Sequence, residues 1–262
     1  MLRYLRLLGI QVRASLTVGL AYRVDFLVQG AMSVFWAGQA VVPLLVVYGQ
    51  RDAVAGWSFD EALVVMGWFV LMKGILEGAV NPSLASVVEH IRKGTLDFVL
   101  MKPADAQFLV STAKFAPWRI MDVLSGLAIM AIAFHRLGRA PGPAEVAGAL
   151  VLLVAATAIL YALWIVVISA AFYVVKIDNL SFLFLSIYDA ARWPADVFKG
   201  GLKVLFTVVI PLALMTTFPA RALLGRLGPG QGLAALLGAA VFSALARAIW
   251  LRSIGRYTSA AG

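Results

Sequence analysis

Apolar stretches long enough to cross a lipid bilayer recur along almost the whole chain. Between Phe26 and Tyr48 the sequence contains no Asp, Glu, Lys or Arg, and a helix needs about 20 predominantly apolar residues to cross roughly 30 Å of hydrocarbon. Comparable stretches follow, with approximate bounds 26–48, 59–80, 118–134, 146–175, 180–194 and 233–250. The pattern predicts an all-α integral membrane protein in one domain, 1–262, with six transmembrane helices if a further apolar run at 204–219 does not cross.

The segment 1–23 carries apolar and basic residues on opposite faces of a helix. The apolar positions are Leu5, Leu8, Val12 and Leu16, and the basic positions are Arg3, Arg6 and Arg13. This spacing predicts an amphipathic helix in the plane of the lipid headgroups; the alternative is a helix that packs against other protein. Because Arg13 interrupts the apolar run and a full span follows, we expect the segment to be retained, not cleaved as a signal peptide.

The region 195–228 leaves the number of spans open. Its apolar run, 204–219, would make a seventh span if it crossed fully, or a re-entrant hairpin if it returned to the side on which it began. Pro194, Pro211 and Pro219 favour a broken hairpin, and in the six-span arrangement most Lys and Arg residues lie on the side of both termini. We therefore expect both termini to be cytoplasmic and Gly228 to be outside.

Short sequence motifs between the apolar stretches indicate where helices begin and end. Ser58-Phe-Asp-Glu61 is typical of a capping box that opens the second span, and Asn81-Pro82 predicts a turn that ends it. A more polar helix, 83–93, then precedes Gly94, and the polar group 176–179 is expected to close the fourth span.

The amino-acid composition argues against several classes of function. The chain is 62% hydrophobic and 13% charged, with a mean hydropathy of +0.93, so its charges are too few to cover a soluble surface. Cysteine is absent, and His90 and His135 lie far apart, so we expect neither a metal site nor a cofactor-binding site, and no catalytic constellation. The net charge of +9 is scattered over short loops, which favours contact with lipid headgroups and excludes nucleic acid as the expected partner.

Three pairs of opposite charge lie in or near the spans. Lys73 and Glu77 are four residues apart deep in the second span, where a lone charge is costly; they are expected to neutralise each other, and the alternative is contact with a polar cargo or a gate. Two further pairs, three residues apart, are expected to form local salt bridges: Arg119 with Asp122, and Asp189 with Arg192.

Glycines share one face of the second span. Gly67, Gly74 and Gly78 include a Gly-x-x-x-Gly pattern, and small residues allow membrane helices to approach closely. They predict a packing face, either within the protomer or across a dimer.

One polar segment carries a resemblance to a known family. Ile91-Arg-Lys-Gly-Thr-Leu-Asp-Phe-Val-Leu-Met-Lys-Pro103 resembles the basic-Gly-x-Leu-Asp-Phe-x-Leu-x-(Arg/Lys)-Pro segment of permeases from ATP-binding-cassette exporters of the second export class. Tyr22-Arg-Val-Asp-Phe26 is similar to the start of their first span, and Trp193-Pro194, Pro211 and Phe218-Pro219 are similar to their late proline-rich segment.

The resemblance implies a membrane-spanning subunit driven by a separate ATPase. It implies six spans, an amphipathic first helix, a cytoplasmic coupling region at 83–103 and a re-entrant region at 195–228. The residues that would couple to the ATPase are Glu89, Arg92, Lys93, Gly94, Thr95, Leu96, Asp97 and Phe98; Asp97 has an alternative role as a cap of the next helix. The chain lacks Gly-x-x-x-x-Gly-Lys-(Ser/Thr), so ATP and Mg would be bound by the partner.

The same resemblance implies a dimer, formed with an identical chain or a sister permease, in a prokaryotic cytoplasmic membrane among membrane lipids. The expected function is export of a cargo that the sequence does not identify, amphipathic or lipid-like in keeping with an apolar interior. The alternatives are an ion-gradient-driven secondary transporter, for which clear internal repeats are missing, and an intramembrane enzyme.

Overall fold

Helices make up nearly the whole of the computed structural model, which describes residues 2–173 and 178–256. The helices are α1 (Leu2–Ala21), α2 (Arg23–Tyr48), α3 (Phe59–Ile75), α4 (Asn81–Arg92), α5 (Asp97–Leu100), α6 (Ala106–Ser111), α7 (Ile120–Arg136), α8 (Pro143–Ser169), α9 (Asp178–Tyr188), α10 (Gly200–Val204), α11 (Phe218–Leu223) and α12 (Pro229–Ile254). Short 3-10 turns cover Pro117–Arg119, Ala170–Phe172, Asp189–Arg192 and Ala195–Val197, and π-helical turns cover Leu76–Val80, Leu205–Val209 and Ala213–Thr217. Two short antiparallel strands, β1 (Ala53–Val54) and β2 (Trp57–Ser58), lie between α2 and α3.

The capping box predicted at Ser58 is confirmed. The Ser58 hydroxyl accepts a hydrogen bond from the Glu61 N–H at 3.3 Å, and the Glu61 carboxylate accepts one from the Ser58 N–H at 3.0 Å. These two bonds satisfy N–H groups that the first turn of a helix leaves without partners. They fix the start of α3 at the end of a tight β1–β2 turn.

The turn predicted at Asn81-Pro82 is wrong. Instead, α3, the π-helical turn and α4 form one continuous helix of 34 residues, Phe59–Arg92. Proline normally breaks a helix because its ring meets the carbonyl four residues earlier. Here the Asn81 N–H bonds to Leu76 O, five residues back, and such a widened turn makes room for a bulky residue. The polar helix therefore extends the second span directly.

Five helices within the described residues are long and apolar enough to span a membrane: Arg23–Tyr48, Phe59–Arg92, Pro117–Arg136, Pro143–Phe172 and Pro229–Ile254. The fifth span, predicted from about Leu180 to an interruption at Trp193-Pro194, consists in the described part of the chain of the 11 residues of α9 and a four-residue 3-10 turn that ends at Arg192. It is too short to be among the five. The break predicted at 176–179 falls largely outside the described residues, and Asp178 begins α9.

The segment after α9 nevertheless runs beside α3 towards its amino end. The ring of Tyr188 stacks on Phe69 at 5.3 Å between centroids, and the Trp57 indole N–H donates to Asp196 at 3.0 Å. Residues 188–196 therefore accompany α3 from its middle to its start, partly as 3-10 turns.

Residues 200–223 form two short helical segments that meet at a sharp bend. The two halves, Gly200–Val209 and Ala213–Leu223, are bent by 69° at Pro211. Lys203, near the start, lies 3.8 Å from the Asp196 carboxylate, and Arg221, near the end, is ion-paired with the same carboxylate. Both ends of the bent segment therefore reach one residue, Asp196.

The two ends of the bundle are named here the Trp57 end and the Gly94 end. Arg3 donates to Pro103 O at 2.6 Å, and Arg247 of α12 is paired with Asp105 at 2.6 Å. The first and last described residues therefore both lie towards the Gly94 end. At the opposite end, Arg226 pairs with Glu61 at 2.5 Å, so the loop before α12 lies at the Trp57 end.

α1 packs against the chain with only part of its surface. The Tyr4 ring meets Phe108 edge-on at 4.8 Å, and the Ser15 hydroxyl accepts from the Phe115 N–H at 3.1 Å. Leu5 and Leu16 of the predicted apolar face remain exposed. One side of α1 therefore meets protein, as in the alternative interpretation, and part of its apolar face is open; its position in the plane of the headgroups stays a prediction.

Candidate functional site

The segment proposed for coupling is a sharp turn at the Gly94 end. Gly94 closes the turn after α4 with φ of +65°, a conformation that favours glycine. The Thr95 N–H bonds to His90 O at 2.9 Å, and the Thr95 hydroxyl lies 2.8 Å from His90 Nδ1. These bonds satisfy the last carbonyls of α4 and redirect the chain into α5.

Two apolar residues that the sequence placed together have different surroundings. Leu96 is completely buried, whereas Phe98 is 65% exposed and Met101, one turn later, is 72% exposed. Leu96 also occupies the N-cap position of α5, so Asp97 lies one residue inside this helix and is not its N-cap. Leu96 therefore anchors the turn to the bundle, and Phe98 presents an apolar surface outwards.

Charged side chains surround this turn. Glu89 and Lys93 form an exposed pair at 3.5 Å, and Arg92 is also exposed. An exposed pair of this kind contributes little to stability. These charges therefore contribute little to the stability of the fold and mainly determine the charge of the exposed surface.

A polar network that sequence analysis missed links this region to the last span. Arg247 donates to Asp105 at 2.6 Å and to Gln107 at 2.7 Å, and Gln107 donates to the Tyr161 hydroxyl of α8 at 3.0 Å. Burial raises the pKa of Asp105, but the hydrogen bonds from Arg247 and from the Phe108 N–H outweigh it and hold this pKa below its usual value. The sequence signal was Arg247 itself, a cation within an apolar helix.

The predicted charge pairs in the spans form one larger cluster. Lys73 and Glu77 are 3.9 Å apart, but Glu77 is in closer contact with Arg119 of the segment before α7. Arg119 also donates to Asp122 at 3.1 Å, and the Ser33 hydroxyl of α2 donates to the same carboxylate at 3.4 Å. The cluster thus joins three spans, where the sequence indicated two local pairs.

Beside this cluster lies a cavity of about 330 Å³. The third predicted pair, Asp189 and Arg192, is formed at 3.1 Å and lines the same cavity. The full lining is Trp36, Ala37, Gln39, Ala40, Phe69, Val70, Lys73, Arg119, Asp122, Asp189 and Arg192. We name this cavity the polar chamber.

The glycine face of α3 packs within the chain. A Cβ added at Gly67 would lie 2.6 Å from Met130 Cγ and 2.7 Å from Gly126 O of α7, and one at Gly74 would lie 2.9 Å from Val123 Cγ2. Gly78 faces Arg119 at 3.0 Å. All three predicted glycines therefore face α7 or the turn before it, which decides between the two sequence alternatives in favour of packing within the protomer.

The five helices of the described residues that are long and apolar enough to span a membrane define a multi-pass α-helical membrane protein. The profile described as ABC-2 family transporter protein matches residues 34–261, and the chain belongs to that family. Searches among curated proteins and among solved structures each gave no match. The family places the chain as a permease component of an ATP-binding-cassette transporter, with ABC ATPase subunits as partners; the resemblance found in the sequence is thereby confirmed.

Proposed function

We propose that the chain is the membrane-spanning subunit of an ATP-driven exporter in a prokaryotic cytoplasmic membrane. It would work as a dimer, with itself or a sister permease, together with two ATPase subunits. The observation that carries the proposal is the turn at 89–98, where a buried Leu96 holds an exposed Phe98 among charged residues in a chain of the ABC-2 family.

The shape of the second span supports a mechanical role for this turn. Phe59–Arg92 is continuous over 34 residues, a length of about 50 Å at 1.5 Å per residue. A displacement at Arg92 would pass along this helix to Lys73 and Glu77 without an intervening loop. ATP binding would close the ATPase subunits, push the turn, and shift the charged cluster in the middle of the bundle.

The positions of the two ends of the bundle support one orientation of the chain in the membrane. With the Gly94 end in the cytoplasm, both termini would be cytoplasmic, and the bent segment 200–223 would enter and leave the membrane from outside. Reporter fusions at the carboxyl terminus and at Gly228 test this orientation. A carboxyl terminus found outside would contradict it.

Charge reversal at the turn tests the ATPase contact. We expect Arg92→Glu with Lys93→Glu to leave the permease folded and inserted, to weaken co-purification of the ATPase, and to abolish transport-coupled ATP hydrolysis. Arg51→Glu with Lys199→Glu is a matched control, because it makes the same change in charge at exposed positions elsewhere in the chain. Equal ATPase binding by both double variants would contradict the contact.

Cysteine scanning locates the contact without removing charges. The native chain has no cysteine, so single cysteines from Glu89 to Phe98 report only on their own position. We expect cross-links to the ATPase at exposed positions such as Phe98, and none at buried Leu96. The coupling assignment is wrong if no position cross-links in any nucleotide state, and transport that persists on an ion gradient without the ATPase would favour a secondary transporter.

A further inference from the structure

The polar chamber brings charges of both signs to the middle of the bundle. Lys73 lies 14 positions after Phe59 in a continuous helix, which places it about 21 Å from the start of that helix. Ionised side chains at such depth are costly and commonly mark a functional site. The chamber therefore calls for an explanation beyond helix packing.

The charged side chains of the chamber differ in how fully they are paired. Arg119 contacts both Glu77 and Asp122, and the Asp122 side chain is only 7% exposed. Lys73 reaches its carboxylate partner only at 3.9 Å and is 37% exposed. Asp189 is paired with Arg192 at 3.1 Å but is still 46% exposed. Of the charged residues lining the chamber, Lys73 and Asp189 are thus the two most accessible to a ligand, one cation and one anion.

An aromatic side chain marks where the chamber opens. Trp36 of α2 lines the chamber and is 58% exposed, and its neighbour in the lining, Gln39, is exposed on the same helix. An accessible indole face attracts cations. The chamber therefore opens sideways past α2, towards the side of the bundle where lipid would lie.

We propose that the polar chamber binds the zwitterionic head of an amphipathic molecule. The anionic group of the head pairs with Lys73, its ammonium pairs with Asp189 and the face of Trp36, and the apolar tail leaves past α2. A purely cationic head would be repelled by Lys73, which has no partner at ideal distance, and a purely anionic head would leave the accessible Asp189 carboxylate, paired only with Arg192 at 3.1 Å, without a cationic group of the ligand. As a cargo site the chamber rests on the proposed exporter function.

The test measures binding to the purified permease alone, in a sugar-based uncharged detergent, by calorimetry. Three probes share dihexanoyl tails and differ in the head: phosphocholine, phosphoglycerol and trimethylammonium. We expect phosphocholine to bind at least about tenfold more tightly than either singly charged probe, which corresponds to one charged hydrogen bond. Equal binding of all three would overturn the proposal.

Single substitutions in the chamber should change which probe binds most tightly. They should not merely weaken the binding of every probe. Lys73→Gln should lower phosphocholine affinity roughly tenfold and favour the trimethylammonium probe, and Asp189→Asn should favour the phosphoglycerol probe. Lys203→Gln is the control, since Lys203 lies 3.8 Å from Asp196 at the Trp57 end and should change nothing. Parallel losses for all three probes in either chamber variant, or the same losses in the control, would overturn the proposal.

A further binding measurement distinguishes a lipid from a free zwitterion as the ligand. Glycerophosphocholine, a water-soluble phosphodiester zwitterion without tails, that binds as tightly as the dihexanoyl probe would identify a free zwitterion as ligand, and a requirement for the tail would identify a lipid; both outcomes support the zwitterionic chemistry. Because no ATPase is present, failure of binding would leave the exporter proposal intact. Failure of ATP-driven transport would equally leave the binding result intact.

Discussion

The second and the last spanning helices are about equally apolar, yet they occupy different environments. In the most apolar part of Phe59–Arg92, 72% of the residues are buried inside the chain, whereas in Pro229–Ile254 only 17% are. α3 contributes Gly67 and Gly74 to a close crossing with α7, while α12 exposes large apolar side chains such as Leu237 and Val241. Hydropathy thus identifies a span, but glycines and buried charges show which span is central.

A charge on the central helix should be harder to replace than one on the peripheral helix. The Glu77 side chain is 16% exposed and contacts both Lys73 and Arg119. Glu77→Gln leaves a half-buried cation short of its partner, so we expect a loss of about 3 kcal/mol in the free energy of unfolding. Arg247→Gln on α12, where the side chain is 43% exposed, should cost less than about 1 kcal/mol. Denaturant unfolding of the purified permease measures both, and equal losses would break the comparison.

The cluster also changes what the double replacement of Lys73 and Glu77 should do. As an isolated pair, they would be replaced together more mildly than singly. Since Arg119 also depends on Glu77, Lys73→Met with Glu77→Met should recover only part of the loss caused by Glu77→Met alone. Adding Arg119→Met should not complete the recovery, because the buried Asp122 carboxylate would then lose its cation. Full recovery in the double variant would mean that the Arg119 contact is unimportant.

Replacing a glycine by alanine should have opposite effects on stability in α3 and in α12. Gly67→Ala places a Cβ against Met130 and the Gly126 carbonyl, and such overpacking costs about 1–3 kcal/mol. At Gly230 in the first turn of α12, no described atom lies within 4 Å of an added Cβ, so Gly230→Ala should be neutral or stabilising by up to ~1 kcal/mol. Thermal unfolding midpoints of the two variants compare them. Destabilisation by both would show that α12 is packed as tightly as α3.

The smallest effect concerns the attachment of α12 through Asp105. Because the pKa of Asp105 is lower in the folded chain than its usual value of about 3.9, its contribution to stability is complete above that usual value. It is lost as pH falls through the lowered value. We expect Asp105→Asn to be less stable than the native chain by under about 1 kcal/mol at neutral pH, with the difference vanishing in acid. A difference that persists unchanged to pH 2 would contradict the ion pair with Arg247.

Sequence reasoning succeeded where neighbours along the chain decide the structure. The capping box at Ser58 and the break at Pro211 depend on a few adjacent residues, and both are present. The turn at Pro82 failed because a π-helical turn accommodates the proline, and the sequence does not reveal such a turn. The spacing of Lys73 and Glu77 predicted their contact, but the nearer partner, Arg119, comes from another helix and could not be read from spacing.

The π-helical turn at Leu76–Val80 determines how α4 is rotated about the helix axis relative to α3. A regular α-helix turns by about 100° per residue, so a one-residue deletion in α3 would rotate everything after it by that angle. A π-helical turn holds one residue more than an α-helical turn, so it sets the bearing of Arg92 and Lys93 relative to Gly67. Deleting Ala79 would tighten this turn towards a regular one, in which the Pro82 ring would meet the carbonyl four residues earlier. The extra residue therefore keeps Pro82 within a continuous helix and fixes the direction in which the Gly94 end points.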